Sequence, residues 1–212
     1  MATNRSGCLL ACFVLALSSH GAGAAEYLLR PEQSELSVLV FKAGFASGLA
    51  HDHVVRATRF AGAIRGDPSN PAAAEVRVTV PVEALSADEP DVRKTHGLGA
   101  ALDDADRRAI QTTMLGETQL HAAQYPAIGF RSIAVTLQAP GSFLLTGDFS
   151  LHGTTHRISI PVTAHLSGGV LRATGAFDFN QSDFGITPLS RFFGAVRNQD
   201  RVRVVFDLVA TP

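Results

Sequence analysis

The stretch "HRISIPVTAHLSGGVLRATGAFDF", His156 to Phe179, decides the fold. Its first half sets Ile158, Ile160, Val162, Ala164 and Leu166 on one face of an extended chain. Arg157, Ser159, Thr163 and His165 fall on the other. Gly168 and Gly169 then supply a tight hairpin turn. The second half sorts Leu171, Ala173, Phe177 and Phe179 from Arg172, Thr174 and Asp178. Side chains alternate sides along a strand, so one face of this hairpin is apolar and the other wet. That is the pattern of antiparallel sheet with a single buried face.

The same period runs outward in both directions. "LLTGDFSLHG" sorts Leu145, Phe149 and Leu151 from Thr146, Asp148 and Ser150, and "LHGTTH" joins it to the next strand across Gly153. "QAPGSF" places another turn at Pro140 and Gly141. "EVRVTVPV" puts Val76, Val78, Val80 and Val82 on one face, and "RVRVVFDL" gathers Val202, Val204, Phe206 and Leu208. The expected strands are 35–41, 56–65, 75–82, 127–137, 142–151, 155–166, 170–180 and 201–209. Eight strands close a small barrel around one ligand. "DPSNPAAA", Asp67 to Ala74, reads as a loop. The fold class is therefore mainly all-β, an eight-stranded antiparallel barrel.

One region breaks the pattern. "DDADRRAIQTTMLGE" begins with an Asp cap and an acidic turn, places Ile110 and Met114 four residues apart, and ends near Gly116. It predicts a short helix. "SADEPDVRKTHGLGAAL" before it is polar and reads as irregular. Together they form an excursion between the third and fourth strands that covers one end of the barrel.

The first 24 residues are read separately. Arg5 is the only charge before Glu26, "CLLACFVLAL" is an apolar core, and Ala22 and Ala24 are spaced for cleavage. This predicts a secretory signal peptide over 1–24 and a periplasmic mature domain over 25–212. A membrane helix needs about 20 apolar residues, and the mature sequence has no such run. Both cysteines, Cys8 and Cys12, lie in the signal, which leaves the mature domain without disulfides or thiolate chemistry. The net charge of -1, with signs interspersed, argues against nucleic acid as a partner.

No nucleophile elbow, phosphate loop, zinc-protease helix or dinucleotide turn occurs, so no catalytic residue, cofactor or metal is assigned. "SGLAHDHVV", Ser47 to Val55, carries the one dense polar group inside an apolar context. If it is extended, His51 and His53 project from one face, about 6–7 Å apart, and Asp52 from the other. Three readings compete: a solvated strand start, a head-group contact at the barrel mouth, or part of a metal site. The last is incomplete, because zinc takes three or four protein ligands. It would need His96 or His121. The second class of function is thus a metal- or haem-associated redox accessory protein.

Several longer segments together resemble the YceI-like family of exported lipid-binding proteins. These are "YLLRPEQSELSVLVFKAG", "GLAHDHVVRATRFAG", "IQTTMLGETQLHAAQYPAIGFRS", "LTGDFSLHGTTHRISIPV" and "FNQSDFGI". The resemblance runs from about Tyr27 to Val209. It departs at Gln181, where many relatives have Arg, and at the inserted-looking "DEPDVRKTHGLGAALDD". It implies a lipocalin-like barrel with a tunnel for an isoprenoid or similar amphiphilic lipid. The candidate walls are Val38, Val40, Val78, Val80, Phe130, Phe149, Ile158, Ile160, Phe177, Phe179, Val204 and Phe206, with His51 and His53 on the wall or rim.

Overall fold

The computed structural model describes residues 25–46, 48, 51–67, 69–191 and 193–212. The expected signal peptide, 1–24, lies outside them. The strands are β1 (Ala25–Leu29), β2 (Glu35–Ala43), β3 (His53–Ala57), β4 (Ala61–Asp67), β5 (Asn70–Pro81), β6 (Leu85–Ala87), β7 (Ala127–Ala139), β8 (Ser142–Leu151), β9 (Thr154–Ser167), β10 (Val170–Asn180), β11 (Ser190–Arg191) and β12 (Val196–Thr211). Two helices, α1 (Pro90–Thr95) and α2 (Asp104–Leu115), lie between β6 and β7.

Every strand pairing is antiparallel, and the sheet closes through β12, which pairs β10 on one side and both β2 and β1 on the other. Three barrel staves are each built from two strands. β1 and β2 are separated by a 3-10 turn at Pro31–Gln33, and β5 and β6 by one at Val82–Ala84. β3 and β4 flank Thr58–Phe60. Register puts these interruptions side by side, since β1 pairs β4, β2 pairs β3, and β3 pairs β6. Thr58 donates to the Ala84 carbonyl through both its amide and its hydroxyl, 2.8 Å each, which fastens two of the breaks together. Counted this way the barrel has eight staves in simple up-and-down order, the eight-stranded closed antiparallel barrel expected.

The structure corrects the sequence reading at several points. The second expected strand is broken at Thr58–Phe60 and begins at His53. Asn70–Ala74, read as loop, belongs to β5, with Asp67 paired to Asn70. β1 was not foreseen. The segment read as irregular contains β6 and α1, and α1 begins with Pro at its first turn, where the missing N–H costs nothing. α2 forms as expected, with Asp103 capping the amide of Asp106 at 2.8 Å.

The outward faces carry cross-strand ion pairs, among them Arg157–Asp148, Arg172–Asp207 and Arg203–Asp178. Inward faces form two apolar clusters. One joins Tyr27, Leu29, Val55, Phe60, Val80 and Leu85, with Ile110 and Met114 of α2 packed against it. The other is aromatic: Phe149 and Phe179 each lie 5.3 Å from the Phe184 ring, edge-on, and Phe177 lies 5.6 Å from Phe149. Such edge-to-face pairs add about 0.5–1.5 kcal/mol each beyond burial.

Candidate functional site

The inward side chains do not fill the barrel. They enclose a cavity of about 730 Å³, within the range of roughly 300–1,000 Å³ typical of ligand pockets. It follows β12 from Val202 to Ala210, about 26 Å along the strand at roughly 3.3 Å per residue. Small residues make the room: Ala173 stands opposite Ala164 across β9 and β10, and both face the void. Gly175 makes room differently. A Cβ there would lie 2.5 Å from the Phe206 ring, so the glycine lets that ring lie flat on the wall.

The two ends of the cavity differ in chemistry. The hairpin end, where β4–β5, β7–β8 and β9–β10 turn, presents residues such as Pro71, Phe143, Ala164 and Leu171. The helical end holds every polar side chain on the lining: His51, His53, Asp106, Thr113, Gln119, Gln181, Arg191, Arg197 and Asn198. The lining residues that are themselves exposed, His51, Asp106, Ala109, Arg191 and Arg197, also lie there. The cavity therefore opens at that end.

His53 is the most constrained of these groups. Its Nδ1 lies 2.7 Å from Asp88 Oδ2. Asp88 is fully buried, has φ +54°, and its other oxygen accepts from Arg93 Nη1 at 2.7 Å and from the Val54 amide at 3.1 Å. Arg93, 1% exposed, also donates to the carbonyls of Asp52, Leu98 and Ala100. Burial pushes the Asp88 carboxyl up, but the hydrogen bond and charge of His53, with Arg93 and the Val54 amide, outweigh it and hold the group below the usual carboxylate range. An ionised carboxylate only accepts, so the proton of a neutral His53 sits on Nδ1. Nε2, the ring's other nitrogen, belongs to a side chain that lines the cavity.

Most of the sequence candidates meet on this surface. Val38, Val40, His51, His53, Val78, Val80, Phe130, Phe149, Ile160, Phe177, Phe179, Val204 and Phe206 line the cavity. Ile158 is the exception; it packs against the cluster of Phe149 and Phe184 instead. Its face was read correctly, but at that level the aromatic rings stand between it and the void. Asp52 turns away and accepts from the Lys42 amide at 2.8 Å. His96 pairs with Glu35 at 2.8 Å, and His121 stacks edge-on against Tyr125. Among the described residues no three His, Cys, Asp or Glu side chains are grouped to hold a metal. Gln181, the departure from the family pattern, donates to the Gln199 carbonyl at 2.9 Å while lining the cavity.

Sequence reasoning missed Asp88, Arg93, Arg191 and Arg197. Asp88 lies 35 positions from His53, and nothing local marks either end of that pair. Arg191 sits on a two-residue strand too short to show a period, and Arg197 on the start of β12, ahead of the expected strand 201–209.

Comparison with known proteins fits this geometry. The chain is 29% identical over 177 residues to a UPF0312 protein of Shewanella sp. strain ANA-3, covering 80% of this chain and 81% of that one. Its structure resembles that of Burkholderia cenocepacia BcnA, with a TM-score of 0.66 at 20% identity, covering 86% of this chain and 99% of BcnA. It also resembles a polyisoprenoid-binding domain from Saccharophagus degradans implicated in plant cell wall breakdown, with a TM-score of 0.57 at 14% identity, covering 87% of this chain and 97% of that domain. The YceI-like domain profile matches residues 27–210, nearly the whole of the described barrel, and the chain therefore belongs to the YceI-like family.

Proposed function

We propose that this protein is an exported, periplasmic carrier for an isoprenoid or similar amphiphilic lipid, and that it binds without catalysing a reaction. The observation that carries the reading is the lining of the cavity, apolar along its length with polar groups confined to one open end. An amphiphile has that same division. The description of the Saccharophagus neighbour as polyisoprenoid-binding supports the choice of lipid. The apolar first 24 residues support export.

The energetics suit a tail better than a compact solute. Each methylene moved from water to the wall contributes about 0.8 kcal/mol, so a long chain outweighs its loss of freedom. The tail gives affinity with little discrimination. Discrimination falls to the head, which in this reading lies among His51, His53, Gln181 and Asn198. His53 offers Nε2 to the head group there for a hydrogen bond, and the Asp88–Arg93 support keeps the ring from turning away. Native mass spectrometry of protein purified from a bacterial host tests the proposal. A bound, extractable lipid of isoprenoid mass is expected. A cavity found empty in every preparation would sink it.

A further inference from the structure

Two phenylalanines stand out on the rim. Phe45 is 91% exposed and Phe193 is fully exposed. Among the described residues no ring contact holds either, and Phe193 holds φ +56°, a conformation disfavoured for an aromatic residue. Scattered exposed apolar residues are ordinary on soluble proteins. These two are not scattered. Their loops are fastened together, because the Ala46 amide donates to the Ala195 carbonyl at 2.9 Å. Gly44 packs so closely that a Cβ would meet the Ala195 oxygen at 2.4 Å. The rings are thus carried on one ledge at the open end of the cavity.

The ledge is also cationic. Arg191 and Arg197 lie on the short ladder of β11 and β12 that leads into it, and both reach the cavity mouth. Among the described residues neither guanidinium group has an ion-pair or hydrogen-bond partner, unlike those of Arg201 and Arg203 further along β12, which both hold Asp178. Across the mouth, at the acidic start of α2, Asp103 caps the helix and Asp104 lies beside Arg107, while Asp106 lines the opening opposite the arginines. One side of the opening therefore offers aromatic rings with unpaired guanidinium groups beside them. That is the composition that seats at a bilayer interface, with rings at the depth of the lipid head groups and cations on phosphate.

We propose that the ledge carrying Phe45 and Phe193, with Arg191 and Arg197, docks the cavity mouth on the surface of a membrane that contains anionic lipid. The inference rests on the lipid-carrier reading for its purpose but not for its test. Docking would let a tail pass between bilayer and cavity without crossing water, which is the costly step for a long apolar chain.

The test uses vesicles of phosphatidylethanolamine and phosphatidylglycerol, with geranylgeraniol as cargo. The full mature protein should co-sediment with them, less strongly as salt is raised. The double variant Phe45→Ser/Phe193→Ser should lose co-sedimentation and slow cargo transfer between vesicles at least tenfold, while holding as much cargo at saturation. Arg191→Gln/Arg197→Gln should weaken binding several-fold and flatten its salt dependence. Equal vesicle binding by wild type and the phenylalanine variant would overturn the proposal. So would a wild-type dimer that becomes a monomer in that variant, since the rings would then belong to a protein interface. Vesicle binding without any cargo uptake would support docking and instead defeat the lipid-carrier reading.

Discussion

At the hairpin end, three short turns join neighbouring strands and the cavity meets only apolar side chains such as Phe143 and Leu171. At the helical end, β8 and β9 also meet in a tight turn at His152 and Gly153, but the other strands are joined by α1, α2 and longer loops, and imidazole, guanidinium and amide groups reach the void. The difference shows where each kind of cost is met. Tight turns need little beyond glycine and backbone hydrogen bonds. Long excursions carry polar backbone that must be satisfied, and here one buried arginine does much of that. Arg93 ties Asp52, Asp88, Leu98 and Ala100 together, joining the approach to β3 with the residues on both sides of α1.

The largest expected effect breaks the helical end. Arg93→Ala leaves Asp88 buried with less compensation and frees three carbonyls, so stability should fall by about 3–5 kcal/mol, as for other broken buried pairs. Urea unfolding measures it, and a loss below about 1 kcal/mol would show that the cluster does not hold the excursion. A bulky residue at the hairpin end should act on binding instead. Ala173→Phe places a ring where Ala173 and Ala164 leave space, and should reduce affinity for long prenyl chains at least tenfold while short chains are less affected. A titration series of prenols of increasing length checks this. Equal loss for all lengths would mean that the tail does not reach that end.

Smaller effects sharpen the contrast. His51→Ala with His53→Ala should still fold, with some loss of stability because His53 partners the buried Asp88, and keep total lipid uptake, but change the preference among head groups by roughly two- to tenfold, the scale of one hydrogen bond. Competition between a prenol and its methyl ether reads the change directly. Tight zinc binding by the wild type that vanishes in this variant would overturn the head-group role.

The smallest effect comes from an ion pair on the outer face. Asp178 is held by Arg203, against some burial and with help from Arg201, down to about 2 from its ordinary 3.8. A depressed carboxyl stabilises the fold fully above its unfolded value and loses that contribution as pH falls through the folded one. Wild type should therefore exceed Asp178→Asn by no more than about 1 kcal/mol above pH 4. The gap should close as pH drops from 3.8 towards 2. Asp88 is depressed in the same direction, so acid loosens the helical end in the same sense. Thermal melts of both proteins across pH 2 to 7 follow it.

Much of the barrel was legible because its signal is local. The alternation in β8, β9, β10 and β12 separates inward from outward side chains because strand period is a property of the backbone, and Phe149, Ile160, Phe177, Phe179, Val204 and Phe206 line the cavity on those inward faces while Ile158 does not. The cap at Asp103 was legible for the same reason. The breaks at Pro31–Gln33, Thr58–Phe60 and Val82–Ala84 were not read as one feature. Thr58–Phe60 and Val82 read as parts of strands, and only register shows that the three breaks lie in a row. Arg93 looked like one charge among several in a polar loop, because its partners are brought to it by the closure of the excursion.

Period two, turns and capping alone point to an eight-staved antiparallel barrel, the inward faces of five of its strands and the capped α2. These signals act over a few residues. Tertiary structure alone decided that the interior stays open, because that depends on how the summed side-chain volumes match the radius of the closed sheet. It decided which end is polar, since Arg191, Arg197, Gln181 and Asp106 come from separate segments that meet only when the barrel closes. It also decided that His53 is fixed by Asp88 and Arg93, because a buried charge is stable only where distant parts of the chain bring its partners to it.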